Sequence, residues 1–360
     1  MHEKNTFRGC QQSILKLMEI ILNSQILTPH VIKKFKLLKD DCYKRLKLHG
    51  NGLSQPIEII SKLYQGFMNF KHSISWNLES AVIQFDNQPE LSKHDKRGTD
   101  FLSEFKDVIQ KKISDFTLAT FVHGSIATND YTGFSDADVG IIVKDEVLLD
   151  TQKLRELKRN IKEALKILLK FDNLQHHGFF IIPEGFLNYY PEDYLPIEVF
   201  KYAKTLNGTL KINIKSHRST EQAKKSFMTM ASIFTENRFR KPRNLYQVKH
   251  ILSQFMLLPT LYLQAKGVYV YKKFSFELVK KEFPDTWWAM DEVSKIRRDW
   301  IRPKSKLFNT LLDTLPNPWM VSLIYRKSDW QIPDWLLRKL TPKLYQSMYI
   351  LSGRMLTTIS

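Results

Sequence analysis

The chain has 360 residues, 43% of them hydrophobic, 12% aromatic and 26% charged, with only 13 glycines and 14 prolines. That composition gives material for a well-buried core and excludes a disordered, fibrous or minimal disulfide-stapled protein. The net charge of +18 is unevenly placed: residues 201–360 hold 29 Lys/Arg against 11 Asp/Glu, while the first 200 residues balance at 26 of each.

Two cysteines, Cys10 and Cys42, are too few for a disulfide framework or a cysteine-based zinc site, so a reducing compartment, the cytoplasm, is expected. The first five residues are polar and lead into an amphipathic stretch, so no secretory signal is read there. Residues 1 to about 85 are predicted to be helical, with Ile14, Leu17, Met18 and Ile21 on one face and a second cycle in Ile57, Ile60, Leu63 and Phe67. Polar residues 88–99 read as a linker. An amphipathic helix over about 100–114 then leads into a short buried strand, Thr-Leu-Ala-Thr-Phe-Val at 117–122.

Next come His123, Gly124 and Ser125, a polar segment with Asn129, Asp130 and Gly133, and a second strand over 135–143 that is apolar apart from Asp136 and Asp138. Leu154, Leu157, Ile161, Ala164, Leu165 and Leu168 keep a helical period. A third strand is predicted over 176–182, beginning with His176 and His177 and ending at Pro183. From about 195 onward helices are expected, without an internal repeat. The most apolar later segment, 251–263, is interrupted by Ser253, Gln254, Pro259 and Thr260 and is too short to span a bilayer, so no transmembrane segment is expected. The fold class read from this order is α+β: a helical N-terminal region (1–99), a mixed core (100–210) and a basic, tryptophan-rich α-helical domain (211–360).

Asp136 and Asp138, two apart on a predicted strand, leave the same face about 7 Å apart at their Cα atoms. Two carboxylates facing one way in an apolar strand repel each other and are costly to desolvate unless a divalent cation neutralises them. Oxygen ligands favour Mg2+ or Mn2+ over zinc. Upstream, Gly124 and Ser125 follow directly on a strand, where a missing side chain lets backbone amides approach a ligand. A short helix starting there would present its N-terminus to an anion such as phosphate.

Strand, Gly-Ser, ten residues, then Asp-x-Asp opening an apolar strand: this combination resembles the signature of the nucleotidyltransferase superfamily related to DNA polymerase beta, over about residues 100–210. The resemblance implies a small mixed sheet with helices packed on one side. It implies that Gly124 and Ser125 hold the triphosphate of an NTP, and that Asp136 and Asp138 bind catalytic Mg2+. The function implied is transfer of a nucleotidyl group from the NTP to an acceptor hydroxyl, with release of pyrophosphate.

The departure is on the third strand, where the family usually presents another carboxylate and this chain has His176 and His177. Successive strand residues point to opposite faces, so at most one looks into the site, and the hydrophobic pattern does not choose between them. Either a histidine acts as general base beside a metal site built on two aspartates, or a third carboxylate comes from elsewhere, with Glu184 and Glu198 the nearest. Without it, the alternative is a non-catalytic nucleotide- or RNA-binding regulator on the same fold.

The C-terminal half also holds six of the seven tryptophans, several beside basic clusters, which suits RNA or another polyanion. Arg243 and His250 resemble the Arg-x4-6-His pattern of HEPN-domain ribonucleases, a third reading. His123 can shape the phosphate loop or pack as a strand end, and Tyr189, Tyr190 and Tyr194 can stack on a base or cover an apolar edge.

Overall fold

The computed structural model describes residues 2–23, 29–48, 55–70, 78–87, 96–209, 211–235, 241–303, 305–327 and 331–359. The chain divides into two compact units: 1–130 with 136–217 and 304–323, and 131–135 with 218–303 and 324–360. Each gathers segments that are distant in sequence.

The first unit opens with helices α1 (His2–Leu22), α2 (Pro29–Arg45) and α3 (Pro56–Phe70). Their expected inner faces are buried, including Ile14, Leu17, Met18 and Ile21 on α1 and Ile57, Ile60, Leu63 and Phe67 on α3. Both cysteines are free and buried, and Cys10 of α1 hydrogen-bonds with Cys42 of α2. The helical expectation fails before residue 85, where the chain forms strand β1 (Glu79–Gln84), and β2 (Asp86–Asn87) follows. Of the expected linker, residues 88–95 lie outside the described residues and 96–99 already belong to α4 (Lys96–Val108).

From α4 the chain passes through a widened turn at Ile109–Ile113 and a tight one at Ser114–Phe116 into β3 (Thr117–His123). Then follow α5 (Gly124–Ala127), β4 (Asp138–Val143), α6 (Asp145–Leu149), α7 (Thr151–Phe171), β5 (Phe180–Pro183), β6 (Tyr190–Pro191), α8 (Ile197–Lys201), β7 (Lys204–Gly208) and β8 (Lys211–His217). β7 and β8 correct the expectation of helices beyond 195. In β8, Ile212, Ile214 and Ser216 are buried and alternate with exposed Lys211, Asn213 and Lys215, the two-residue period of a half-buried strand.

A five-stranded sheet has the order β2-β7-β3-β4-β5, and a three-stranded sheet the order β1-β8-β6. β3 is antiparallel to both its neighbours, whereas β5 is parallel to β4, as a crossover through α7 requires. The fold is therefore α+β with small mixed sheets, as expected. α7 buries Leu154, Leu157, Ile161, Ala164, Leu165 and Leu168 along one stripe. Its N-terminus is capped by Asp150, whose side chain accepts from the Gln152 and Lys153 amides at 2.8 and 3.1 Å.

The second unit contains α9 (Thr220–Thr235), α10 (Leu245–Phe255), α11 (Leu258–Ala265), α12 (Lys272–Glu282) and α13 (Trp288–Arg298). α14 (Lys306–Thr314) and the first part of α15 (Pro318–Lys327) return to the first unit, where Lys170 of α7 pairs with Asp313 of α14 at 2.6 Å. α16 (Asp334–Leu337) and α17 (Pro342–Ile359) complete the second unit. In that unit α9 packs on α11 and α17, with Phe227 edge-on to Tyr262 and Phe234 edge-on to Phe255. Residues 131–135 are held there by Arg302, a buried guanidinium that donates to the carbonyl oxygens of Gly133 at 3.1 Å and of Ser135. Among the described residues no helix is long and apolar enough to cross a membrane.

Candidate active site

The carboxyl end of β3 and the amino end of β4 meet at one end of the strands of the five-stranded sheet, with His123 opposite Asp138 in the antiparallel register. β3 stops because Gly124 takes φ +70°, in the left-handed region that disfavours a side chain, and α5 begins there at once. A Cβ on Gly124 would lie 2.6 Å from Oδ2 of Asp138. The bare glycine thus lets the Asp138 carboxylate lie against the Gly-Ser turn.

Asp138 opens β4, but Asp136 lies two residues ahead of the strand instead of on it. The two aspartates are half-buried and flank Ala137, which is completely buried. Ala137 does not pair with a neighbouring strand. Its N–H donates to Oε1 of Gln175 at 3.1 Å, and its carbonyl accepts from Nε2 of Gln175 at 2.7 Å.

The third strand is also shorter than expected: β5 begins at Phe180, so His176 and His177 precede it and the alternation of strand faces does not sort them. Their surroundings do. His177 is exposed, its ring centroid is 5.7 Å from that of Phe180, and the same Phe180 ring is 5.2 Å from His123. His123 is buried, its pKa pushed down to about 3 by burial first and by His177 second, with Asp136 opposing. His123, His177 and Asp136 therefore share one electrostatic neighbourhood, and His123 remains a neutral imidazole at ordinary pH. His123 Nε2 is buried without a hydrogen-bond partner. His176 is half-buried, its ring centroid 6.2 Å from that of His177.

Neither expected third carboxylate completes the site. Glu184 follows Pro183, which pairs with Val143, so it lies past the opposite end of β4 from Asp138. There its Oε2 accepts from the Asp145 amide at 3.2 Å, beside the Tyr64 hydroxyl that donates to Asp145 at 2.5 Å. Glu198 is buried in the first turn of α8, 3.7 Å from the Lys201 ammonium. Among the described residues no group of three or more His, Cys, Asp or Glu is placed to hold a metal ion. The pair Asp136 and Asp138 still supplies two oxygen donors suited to a hard divalent cation.

The remaining candidates separate clearly. Arg243 and His250 do not share a helix: Asn244 caps α10, accepting from the Gln247 amide at 2.9 Å, and Arg243 lies before it. Tyr190 and Tyr194 are structural, the first donating to the Leu195 carbonyl at 2.8 Å, the second donating to Glu19 at 2.8 Å and accepting from the Ile181 amide at 3.0 Å. The Tyr189 ring lies edge-on to Phe7. Trp287, Trp300 and Trp319 are core, whereas Trp288 is exposed under Lys343, 4.7 Å from the ring centroid, and Trp335 lies 5.8 Å from the Lys339 ammonium. Trp330 falls outside the described residues. The sequence reading missed Gln175 and Asn23, the latter binding the backbone of Phe179. No periodicity marks either.

Residues 104–181 match the family model described as polymerase beta, nucleotidyltransferase. That segment, from α4 to the start of β5, contains the Gly-Ser turn, both aspartates and both histidines, and it is similar to that nucleotidyltransferase family over this limited part of the chain. No curated protein matches the chain.

Proposed function

We propose that the protein is a metal-dependent nucleotidyltransferase that moves a nucleotidyl group from an NTP to an acceptor hydroxyl and releases pyrophosphate. The observation that carries this reading is the Asp138 carboxylate lying against the bare backbone of Gly124, with Asp136 two residues before it, inside the matched segment. Asp136 and Asp138 would hold Mg2+ or Mn2+ together with phosphate oxygens. The ion would neutralise the charge around the reacting phosphorus and favour the alkoxide character of the attacking oxygen.

The chain's own residues supply position and proton transfer. The Gly124 and Ser125 backbone and the Ser125 hydroxyl receive the triphosphate, which aligns the α-phosphate with the acceptor oxygen. His177, exposed and against the same Phe180 ring as His123, takes the acceptor hydroxyl proton as the new P–O bond forms and the bond to pyrophosphate breaks; we assign this role to His177 in preference to His176. Buried His123 stays neutral and closes the floor of the site.

The acceptor fits RNA or another polyanion, since the excess positive charge lies in residues 201–360 and Trp288 and Trp335 carry lysines near their rings. The free cysteines suit a cytoplasmic setting. The test is incubation with labelled NTPs, Mg2+ or Mn2+ and cellular RNA. Labelled product from the wild type, lost in folded Asp136→Asn and Asp138→Asn, supports the reading; full activity in either variant overturns it. The second reading, a non-catalytic nucleotide- or RNA-binding regulator, is favoured by Glu184 and Glu198 being engaged elsewhere, with the Asp145 amide and the Lys201 ammonium. It predicts nucleotide binding with no labelled product.

A further inference from the structure

We propose that Gln175 and Asn23 are positioning residues, two side-chain carboxamides that replace missing rungs of the sheet and so fix the end of it carrying Asp136, Asp138 and His177. This inference rests on the reading of that end as the nucleotide–metal site.

The parallel ladder between β4 and β5 starts at Gly140 opposite Phe180. Ahead of that rung neither strand has the other as partner, yet this is where the two aspartates and two histidines lie. A primary carboxamide offers an in-plane acceptor and donor, the same complement as a peptide unit, and can stand in for one rung. Gln175 does this for Ala137, accepting from its N–H at 3.1 Å and donating to its carbonyl at 2.7 Å. Asn23, just beyond α1, does it for Phe179, accepting from the N–H at 2.8 Å and donating to the carbonyl at 3.0 Å. A Cβ on Gly178 would collide with the Asn23 carboxamide, so the approach is close.

Both carboxamides are buried, so water cannot replace these bonds, and breaking them would strand buried backbone groups. The placement is itself built: Asp172 ends α7 and accepts from the Leu174 amide through its side chain at 3.1 Å and from the Gln175 amide through its carbonyl at 3.0 Å. The result brackets the reactive side chains. Ala137 is the peptide between the two aspartates, so any rotation there swings both carboxylates. Gln175 and Phe179 flank His176 and His177. An error of about 1 Å in such a constellation is enough to lose much of its effect.

The experiment combines hydrogen exchange by NMR with calorimetric titration by Mn2+–ATP. In the wild type, the Ala137 and Phe179 amides should be strongly protected. Gln175→Met keeps the volume and removes the bonds; it should speed Ala137 exchange and weaken Mn2+–ATP binding roughly tenfold or more, leaving Phe179 protected. Leu165→Ala, buried on α7, controls for general destabilisation: it should lower Tm without moving Mn2+–ATP affinity. An unprotected Ala137 amide in the wild type, or Gln175→Met binding Mn2+–ATP as the wild type does, overturns the inference. Failure of the wild type to bind Mn2+–ATP would instead sink the nucleotidyltransferase reading, and Ala137 exchange would still decide whether Gln175 holds that peptide.

Discussion

Gly124 condenses the chemistry of the site into one position, because its positive φ and the adjacent Asp138 oxygen both forbid a side chain. Gly124→Ala should fold, since the change lies at the end of a strand on a partly exposed turn, but should weaken Mn2+–ATP binding by at least roughly tenfold, as the added methyl displaces a carboxylate and strains the turn. Calorimetry beside circular dichroism checks this, and unchanged binding would mean the turn does not receive phosphate. Gly-Ser and Asp-x-Asp stand out in the sequence because the chemistry proposed for them demands particular side chains at a particular spacing. The choice between His176 and His177 was not, since it depends on where β5 starts, which is two residues past Gly178. Gln175 and Asn23 were invisible for a further reason: a side chain that bonds to backbone leaves no mark on hydrophobic period.

Among elements, α7 shows how far periodicity reaches. All six residues expected on its inner stripe are buried, and Leu165, with no exposure, should cost about 2–5 kcal/mol when cut to alanine, measured by urea denaturation. Its cap gives a pH prediction. Bonds from the Lys153 and Gln152 amides hold the Asp150 carboxyl below the usual aspartate value. A depressed folded-state pKa gives stability that is present above the unfolded value and lost as pH falls through the folded one. Asp150→Asn keeps a good cap without the titration, so its stability should fall less than that of the wild type as pH drops below about 4. Thermal melts across that window decide it, and parallel curves would count against the cap. The strands were less legible than α7. β4 and β5 were expected three or four residues too early, because apolar or extended sequence continues beyond the last rung of the ladder. β8 was missed although Ile212 and Ile214 alternate with polar neighbours, because only two of its seven residues are large and apolar, too few to mark a period.

At the scale of the whole molecule, charge asymmetry predicts how an acceptor binds. If the partner is RNA, affinity should drop by at least roughly tenfold between about 50 and 200 mM salt, because phosphate neutralisation releases counterions. Filter binding or anisotropy measures it, and a flat profile would exclude a polyanion held by these side chains. The helical character of residues 220–359 was readable from composition and period, whereas the division of the chain was not, since compact units are set by contacts between segments far apart in sequence. Residues 131–135 fold with the second unit, and α14, which follows that unit's α13, folds with the first. The chain therefore passes between the two units more than once instead of completing one before starting the other. Cutting the gene at 217 would part residues 131–135 from the unit they fold with and residues 304–323 from theirs, so neither fragment would carry a complete unit.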